Sequence, residues 1–383
     1  MNGGSMRKNK GLAVFIFYIL FLQALAQGPP SSLIQDLQKA GFEQIRIFEN
    51  EKDTVIFFEN RNFRDPLVAF KYIQKIEEEN AYSFKGYVPL YLGNTIGHYG
   101  TEKLEYRPLL GDEKKLFQEI KDFSQAYRFN FRILPDFQAR FGNFDRPIES
   151  KTNLILDSRF YIMKGLSLQT GILFPLYNNL DNQDNNIRLS PTHLNYFGQF
   201  LPYHFIHVAS GLFFNDRYGV DVSYRYSPLS SRWSLGMNFG YTGFYFIPKS
   251  GFYTTSLQDI IGLVDVAYFI PKFNSTVQIT GGQFLAQDKG IRFDFIRQYG
   301  SIDIGFFATK TELGTTAGFQ FAFPLFPGKI IRTNKFELRT TEIFRWEYSY
   351  SNEGPIGTRY RTGIERLDAG LRQYNSGFLK NRW

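Results

Sequence analysis

The chain has 383 residues, enough for two or three domains, and no cysteine, which excludes disulfides, thiolate metal sites, a cysteine nucleophile and a lipid anchor on an N-terminal cysteine. Its formal charge is +8, but Arg7, Lys8 and Lys10 carry three of those charges and residues 354–383 a net four, so the body between is nearly neutral and offers nucleic acid little. Aromatics reach 18%, with 42 Phe and 24 Tyr, yet mean hydropathy is −0.28. Such a chain has to interleave large apolar with polar side chains.

Residues 1–26 read as a secretory signal. Arg7, Lys8 and Lys10 precede an apolar run, Leu12 to Leu22, too short to span a bilayer comfortably. Ala24-Leu25-Ala26 then supplies small residues where cleavage needs them, which speaks against an uncleaved anchor.

Residues 27–122 predict a small α/β domain, periplasmic in an exported protein. Leu33, Ile34, Leu37 and Ala40 share one helical face, ended by Gly41. Gln44–Phe48 and Thr54–Phe58 predict a strand hairpin. Asp65-Pro66 opens a second helix, with Asp as N-cap and Pro at the first position, and Val68, Ala69, Tyr72, Ile73 and Ile76 give its buried stripe. Glu77-Glu78-Glu79 at its end is expected to be solvated. Residues 83–92 are extended again, and Lys114–Phe123 predicts a linking helix.

From about residue 123 to 352 the period becomes two. Tyr127, Phe129, Phe131 and Ile133 alternate with Arg128, Asn130, Arg132 and Leu134; Tyr218, Val220, Val222, Tyr224 and Tyr226 enclose Asp221 and Arg225; Trp233, Leu235, Met237, Phe239 and Tyr241 alternate with small and polar residues; Phe344, Trp346, Tyr348 and Tyr350 enclose Arg345 and Glu347. Alternation this long exceeds an average soluble strand and matches the ~9–11 residues a tilted strand needs to cross a bilayer. In lipid every backbone polar group has to be paired within the protein, so such a sheet closes on itself. The predicted fold is therefore mainly β: a transmembrane antiparallel β-barrel of about 12–14 strands behind the α/β domain. A soluble sandwich also alternates, but it would bury charges at several kcal/mol each unless they are paired. Arg128, Arg132, Asp221, Arg225, Arg345 and Glu347 are the candidate lumen-facing polar residues. The basic tail, 353–383, loses the alternation and predicts a periplasmic or partner-binding extension.

Several segments carry a resemblance to a family. Gly211-Leu212-Phe213, Tyr218-Gly219-Val220 and Arg232-Trp233-Ser234-Leu235-Gly236 are followed by Gly282-Gln283-Phe284-Leu285-Ala286 and Asp288-Lys289-Gly290. Gly305, Phe307 and Thr309, then Gly318-Phe319 and Phe323-Pro324-Leu325, continue the order, and Phe58-Glu59-Asn60-Arg61 with Phe63-Arg64 precedes them all. Over roughly residues 30–330 the chain resembles the YjbH (YbjH) exopolysaccharide-biosynthesis family. The resemblance implies an outer-membrane barrel in secretion or assembly of an exopolysaccharide or capsule, with outer-membrane lipid, the polysaccharide chain and other polysaccharide-export proteins as partners. It supplies no catalytic residues. The chain is much shorter than the family's long members.

Nothing in the sequence assembles an active site, so no enzyme, cofactor or metal is expected. His204 and His207 are the one close histidine pair, and on a strand that spacing sends the rings to opposite faces. Ser210 falls opposite His207, and no G-x-S-x-G occurs. Three functions therefore compete: a non-enzymatic component of polysaccharide export, a general or substrate-specific porin, and a lipid-modifying enzyme. The α/β domain favours the first, because a diffusion pore has no need of one.

Overall fold

A computed structural model describes residues 31–49, 54–109, 111–141, 148–181, 183–326, 329–350 and 356–383. The signal segment lies outside the described residues. The helix Ser31–Ala40 leads into a hairpin of β1 (Phe42–Glu49) and β2 (Thr54–Asn60). The helix Pro66–Glu79 then crosses over to β3 (Gly86–Tyr91), which pairs parallel to β2. Short strands β4 (Asn94–Thr95), β5 (His98–Gly100) and β6 (Tyr106–Arg107) extend the sheet, and the helix Gly111–Glu119 follows.

Local chemistry explains these boundaries. Gly41 takes φ +98°, a helix-ending conformation that costs a glycine least. Asp65 caps the second helix by accepting from the Leu67 N–H at 3.1 Å, with Pro66 at the first position. Leu33, Leu37, Phe42, Phe58, Phe70 and Tyr87 fill the core between helices and sheet, with Phe42 edge-on to Phe58 and Phe58 edge-on to Phe70. Glu77 departs from expectation: it is buried and accepts from the Tyr87 hydroxyl at 2.6 Å and from the Phe84 N–H. Burial pushes its carboxyl up.

The large sheet takes the rest of the chain. Its strands are β7 (Phe129–Phe141), β8 (Ile148–Met163), β9 (Leu166–Asn178), β10 (Arg188–Leu189), β11 (His193–Leu201), β12 (His204–Phe213), β13 (Arg217–Tyr226) and β14 (Trp233–Phe246). They continue as β15 (Tyr253–Thr254), β16 (Asp259–Ile270), β17 (Ser275–Gln283), β18 (Lys289–Tyr299), β19 (Ile302–Thr311), β20 (Gly314–Phe323), β21 (Ile330–Arg332), β22 (Phe336–Thr340) and β23 (Phe344–Tyr350). Neighbours pair antiparallel around a closed ring, except where β22 meets β7. Among the described residues the ring has twelve strands of nine residues or more; β22 and β23, running in the same sense, form a thirteenth, broken one.

That odd number corrects the expectation of an all-antiparallel barrel. Twelve reversals leave the first and last strands pointing the same way, so β22 pairs parallel to β7, Phe336 opposite Phe129 through Thr340 opposite Ile133. The ladder is continued by the Phe129 N–H to the Lys335 carbonyl, 2.9 Å, and the Thr341 N–H to the Ile133 carbonyl, 3.0 Å. Beyond it the two edges meet through the Phe137 and Trp346 rings, 5.9 Å apart.

Two glycines meet across one ladder for a steric reason. Gly211 and Gly219 are paired, with φ +142° and +143°, and a Cβ on Gly219 would come within 2.2 Å of the Tyr241 carbonyl oxygen.

The partition of side chains inverts that of a soluble protein. Trp233, Leu235, Met237, Phe239, Ile279 and Phe306 stand exposed outside, while Arg132, Asp157, Arg225, Arg292 and Asp294 are buried within.

Two outcomes follow. Unboiled protein migrates differently from boiled protein on SDS gels, because ring closure resists the detergent; a single species at both temperatures rules the closure out. The second concerns Glu113, which holds the helix Gly111–Glu119 to the sheet. Its carboxylate takes Arg107 at 2.7 Å and the His98 ring at 2.9 Å. Burial works to raise this carboxyl, but His98 and Arg107 outweigh it and hold it down to about 2. The folded value lies below the ordinary 4.5, so this contribution is fully present above pH 4.5 and lost as pH falls through about 2. Pepsin cleavage near Phe117 rises over that window in the wild type, whereas Glu113→Gln is cut readily throughout; equal rates for both proteins remove the linkage.

Candidate functional site

The α/β unit sits on the end of the barrel where β7 begins, called here the near end, and the segment Phe58–Arg64 fastens it. Glu59, on β2, accepts from the Tyr127 hydroxyl at 2.6 Å, the Tyr161 hydroxyl at 3.0 Å and the Gly93 N–H at 2.9 Å. Burial raises its carboxyl, against those hydrogen bonds and the nearby Arg61. Arg61 forks onto Glu43 at 2.7 Å and lies 5.1 Å above the Tyr127 ring and 5.6 Å above the Tyr161 ring. The Asn60 side chain accepts from the Asn62 and Phe63 N–H groups, a local turn that aims Arg64 into the barrel. Arg64 donates to the Ser301 carbonyl at 2.8 Å, to Asp303 at 2.7 Å and to Glu365 at 2.9 Å.

The C-terminal segment corrects the second expectation. Residues 356–383 are no extension; they are a plug. Strand β23 ends at the far end of the barrel, and the chain returns through the lumen. The Gly357 N–H donates to Asp288 at 2.8 Å, and the Thr358 carbonyl accepts from the Leu285 N–H at 3.2 Å. The Tyr360 hydroxyl donates to Asp221 at 2.7 Å while its ring stacks on Phe213. Arg361 pairs with Asp136 at 2.6 Å, and its carbonyl accepts from the Phe214 N–H. At the near end the helix Leu367–Gln373 brings Arg372 within 3.5 Å of Asp303, and the helix Ser376–Lys380 docks against the 227–232 turn through the Ser376 N–H and the Leu229 carbonyl. Arg382 then pairs with Asp65 of the α/β unit. Arg361, Arg372 and Arg382 of the tail are thus neutralised by acidic residues of the barrel wall and of the cap.

Between plug and wall lies a cavity of about 430 Å³. Five of the six residues singled out from the alternation line it. Arg132 forks onto Asp157 at 2.6 Å and reaches Glu342 at 3.2 Å. Asp221 accepts from Asn238 at 3.0 Å as well as from Tyr360. Arg225 pairs with Asp265. Arg345 meets Glu365 at 2.7 Å, and Glu347 meets Arg292 at 2.6 Å. Arg366, on the plug, holds Asp368 at 3.3 Å. Arg128 is the exception and the third correction. It precedes β7 and lies in the joint, its N–H on Glu43 at 2.9 Å and its guanidinium on the Gln38 carbonyl at 3.1 Å. The Glu43–Arg61 pair draws the chain there before the strand starts.

Alternation also held residues that went unread. Arg292 sits between Ile291 and Phe293 on β18, and Arg159 lies between Asp157 and Tyr161 in the inward series of β8. Arg359 and Arg361 had no such signal, because nothing in the tail's local pattern says that it re-enters the barrel. The two close histidines face opposite ways: His204 outward on the Tyr224 hydroxyl at 2.7 Å, His207 buried inside. No group of three or more metal-ligating side chains gathers among the described residues.

A mainly β barrel, capped by an α/β unit and plugged by its own C-terminus, is the class this geometry defines. Residues 110–321 match the family described as exopolysaccharide biosynthesis protein YbjH (YjbH), and the chain belongs to that family. A comparison with curated protein sequences gives no match. Among solved structures the chain is similar to a loop-deletion mutant of OmpT, an outer membrane protein of Vibrio cholerae, at 9% identity and TM-score 0.31, over 59% of this chain and 94% of that one. A mutant of the Rh. blastica porin matches at 12% identity and TM-score 0.26, over 58% and 97%.

The Arg64 cluster generates a test. Arg64→Ala leaves the buried Asp303 and Glu365 with Arg345 and Arg372 alone, and costs roughly 3 kcal/mol, the lower end for breaking a buried pair. The expected readout is earlier proteolytic release of the α/β unit with heat-modifiable migration of the barrel retained. Unchanged proteolysis means the cluster does not fasten the cap.

Proposed function

We propose that this protein is a non-enzymatic outer-membrane component of exopolysaccharide or capsule secretion or assembly, with the barrel in the membrane and the α/β unit in the periplasm. The observation that carries this reading is a lumen that is neither open nor solid: the chain's own C-terminus plugs it and leaves a charged cavity of about 430 Å³. Family membership supplies the polysaccharide. The apolar outer belt over charged inner walls supports a bilayer as surroundings, since a ring of paired strands is one of the few ways a backbone can cross lipid. The charged groups of the cavity are largely spent on one another, which supports a binding rather than a catalytic role. The α/β cap offers a surface on the periplasmic side for other export proteins.

The porin reading requires an unobstructed path, and the plug runs the length of the lumen. Deleting the gene is expected to abolish or trap surface polysaccharide while small-solute uptake stays as in wild type. In planar bilayers the purified protein is expected to be closed to ions most of the time. Steady porin-like conductance together with normal surface polysaccharide in the deletion strain would sink the export reading.

A further inference from the structure

We propose that the lumen cavity is a binding site for the carboxylate of an acidic sugar, held by Arg159 of the wall and Arg359 of the plug. The proposal rests on the export reading and adds a substrate class to it: an anionic, uronic-acid-type polysaccharide.

The argument starts from charge. Eight guanidinium groups line the cavity. Six of them have a carboxylate in ion-pair contact, as described above. Arg159 and Arg359 have none among the described residues. Among the described residues the Arg159 guanidinium donates one side-chain hydrogen bond, to the Gln169 amide oxygen at 3.2 Å, and its Nε is buried without a hydrogen-bond partner. Arg359 lies 5.4 Å over the Phe284 ring, with Nε and Nη2 both buried and unpartnered. Guanidinium nitrogens buried without a partner or an ion-paired carboxylate are costly, and the other six arginines of this cavity each have such a carboxylate. Two exceptions in one cavity are the pattern of a wall built for an anion that the chain does not itself supply.

The chemistry fits a carboxylate. A guanidinium presents parallel N–H donors that match its two oxygens, and Arg359, resting on Phe284, offers its edge instead of its face. Phe214 and Tyr360 line the same cavity and supply apolar surface for a sugar ring. The volume lies within the usual range for small-molecule sites. One arginine belongs to the fixed wall and the other to the plug, so an acidic chain entering the cavity engages both parts.

Titration of the purified full-length protein in detergent tests this with four probes: a hyaluronan tetrasaccharide carrying two glucuronates, the neutral N-acetylchitotetraose, D-glucuronate and inorganic phosphate. The acidic tetrasaccharide is expected to bind at least tenfold more tightly than the neutral one and to weaken with added salt. Arg159→Gln and Arg359→Gln are each expected to weaken it about tenfold with heat-modifiable migration intact, and Arg359→Lys less. Equal binding of acidic and neutral sugars, or unchanged binding in both glutamine variants, overturns the site. Phosphate binding as tightly as the tetrasaccharide makes it a small-anion site and overturns the sugar assignment. Loss of surface polysaccharide on deletion, without acidic-sugar binding, leaves export standing and removes this site; binding with normal polysaccharide in the deletion strain does the reverse.

Discussion

Charge neutralisation inside the lumen is the constraint on which the rest of this structure depends. The barrel wall turns Asp136, Asp221 and Asp303 inward, where water is scarce and an unpaired carboxylate is costly. Their partners come from the two ends of the chain. Arg361 and Tyr360 of the plug serve Asp136 and Asp221; Arg64 of the cap and Arg372 of the plug serve Asp303. The barrel wall, the cap and the plug are therefore one electrostatic unit.

Strand parity explains how the plug comes to be there. An even-stranded ring returns its last residue to the end where it began. Thirteen positions leave Tyr350 at the far end, while the partners of the C-terminus, Asp303 and Asp65, are at the near end. The chain has to travel back along the barrel, and the inside offers Asp136 to Arg361 and Asp221 to the Tyr360 hydroxyl. The parallel seam of β22 on β7 and the plug are consequences of the same odd count, and the seam's short ladder is reinforced from within by Arg132, which joins Asp157 on β8 to Glu342 just past β22.

Much of this was legible because period-two alternation reports directly on which face a side chain takes. Arg132, Asp221, Arg225, Arg345 and Glu347 could be placed inward from their neighbours alone. What could not be read was anything decided by closure. Arg128 obeys the alternation but precedes the strand, so its partner is Glu43 and not the lumen. The parallel seam depends on the exact number of reversals, which no local window holds. The tail reads as a basic extension because the carboxylates that pair with Arg361, Arg372 and Arg382 lie far away in sequence, at Asp136, Asp303 and Asp65. Glu77 was misplaced for a similar reason: a Glu run at a helix end looks solvated until Phe84 and Tyr87 fold over it.

The Phe58–Arg64 segment is the fastening between cap, wall and plug. Each polar member faces the joint: Glu59 toward Tyr127 and Tyr161, Asn60 toward the turn that follows, Arg61 toward Glu43, Arg64 toward Asp303 and Glu365. Glu365 belongs to the plug, and it also holds Arg345, a residue of the cavity wall. Displacing the plug therefore has to break a contact with the cap and one with the wall at the same residue. Cap, wall and plug thus share Glu365, and none of the three can shift there without breaking a contact of another.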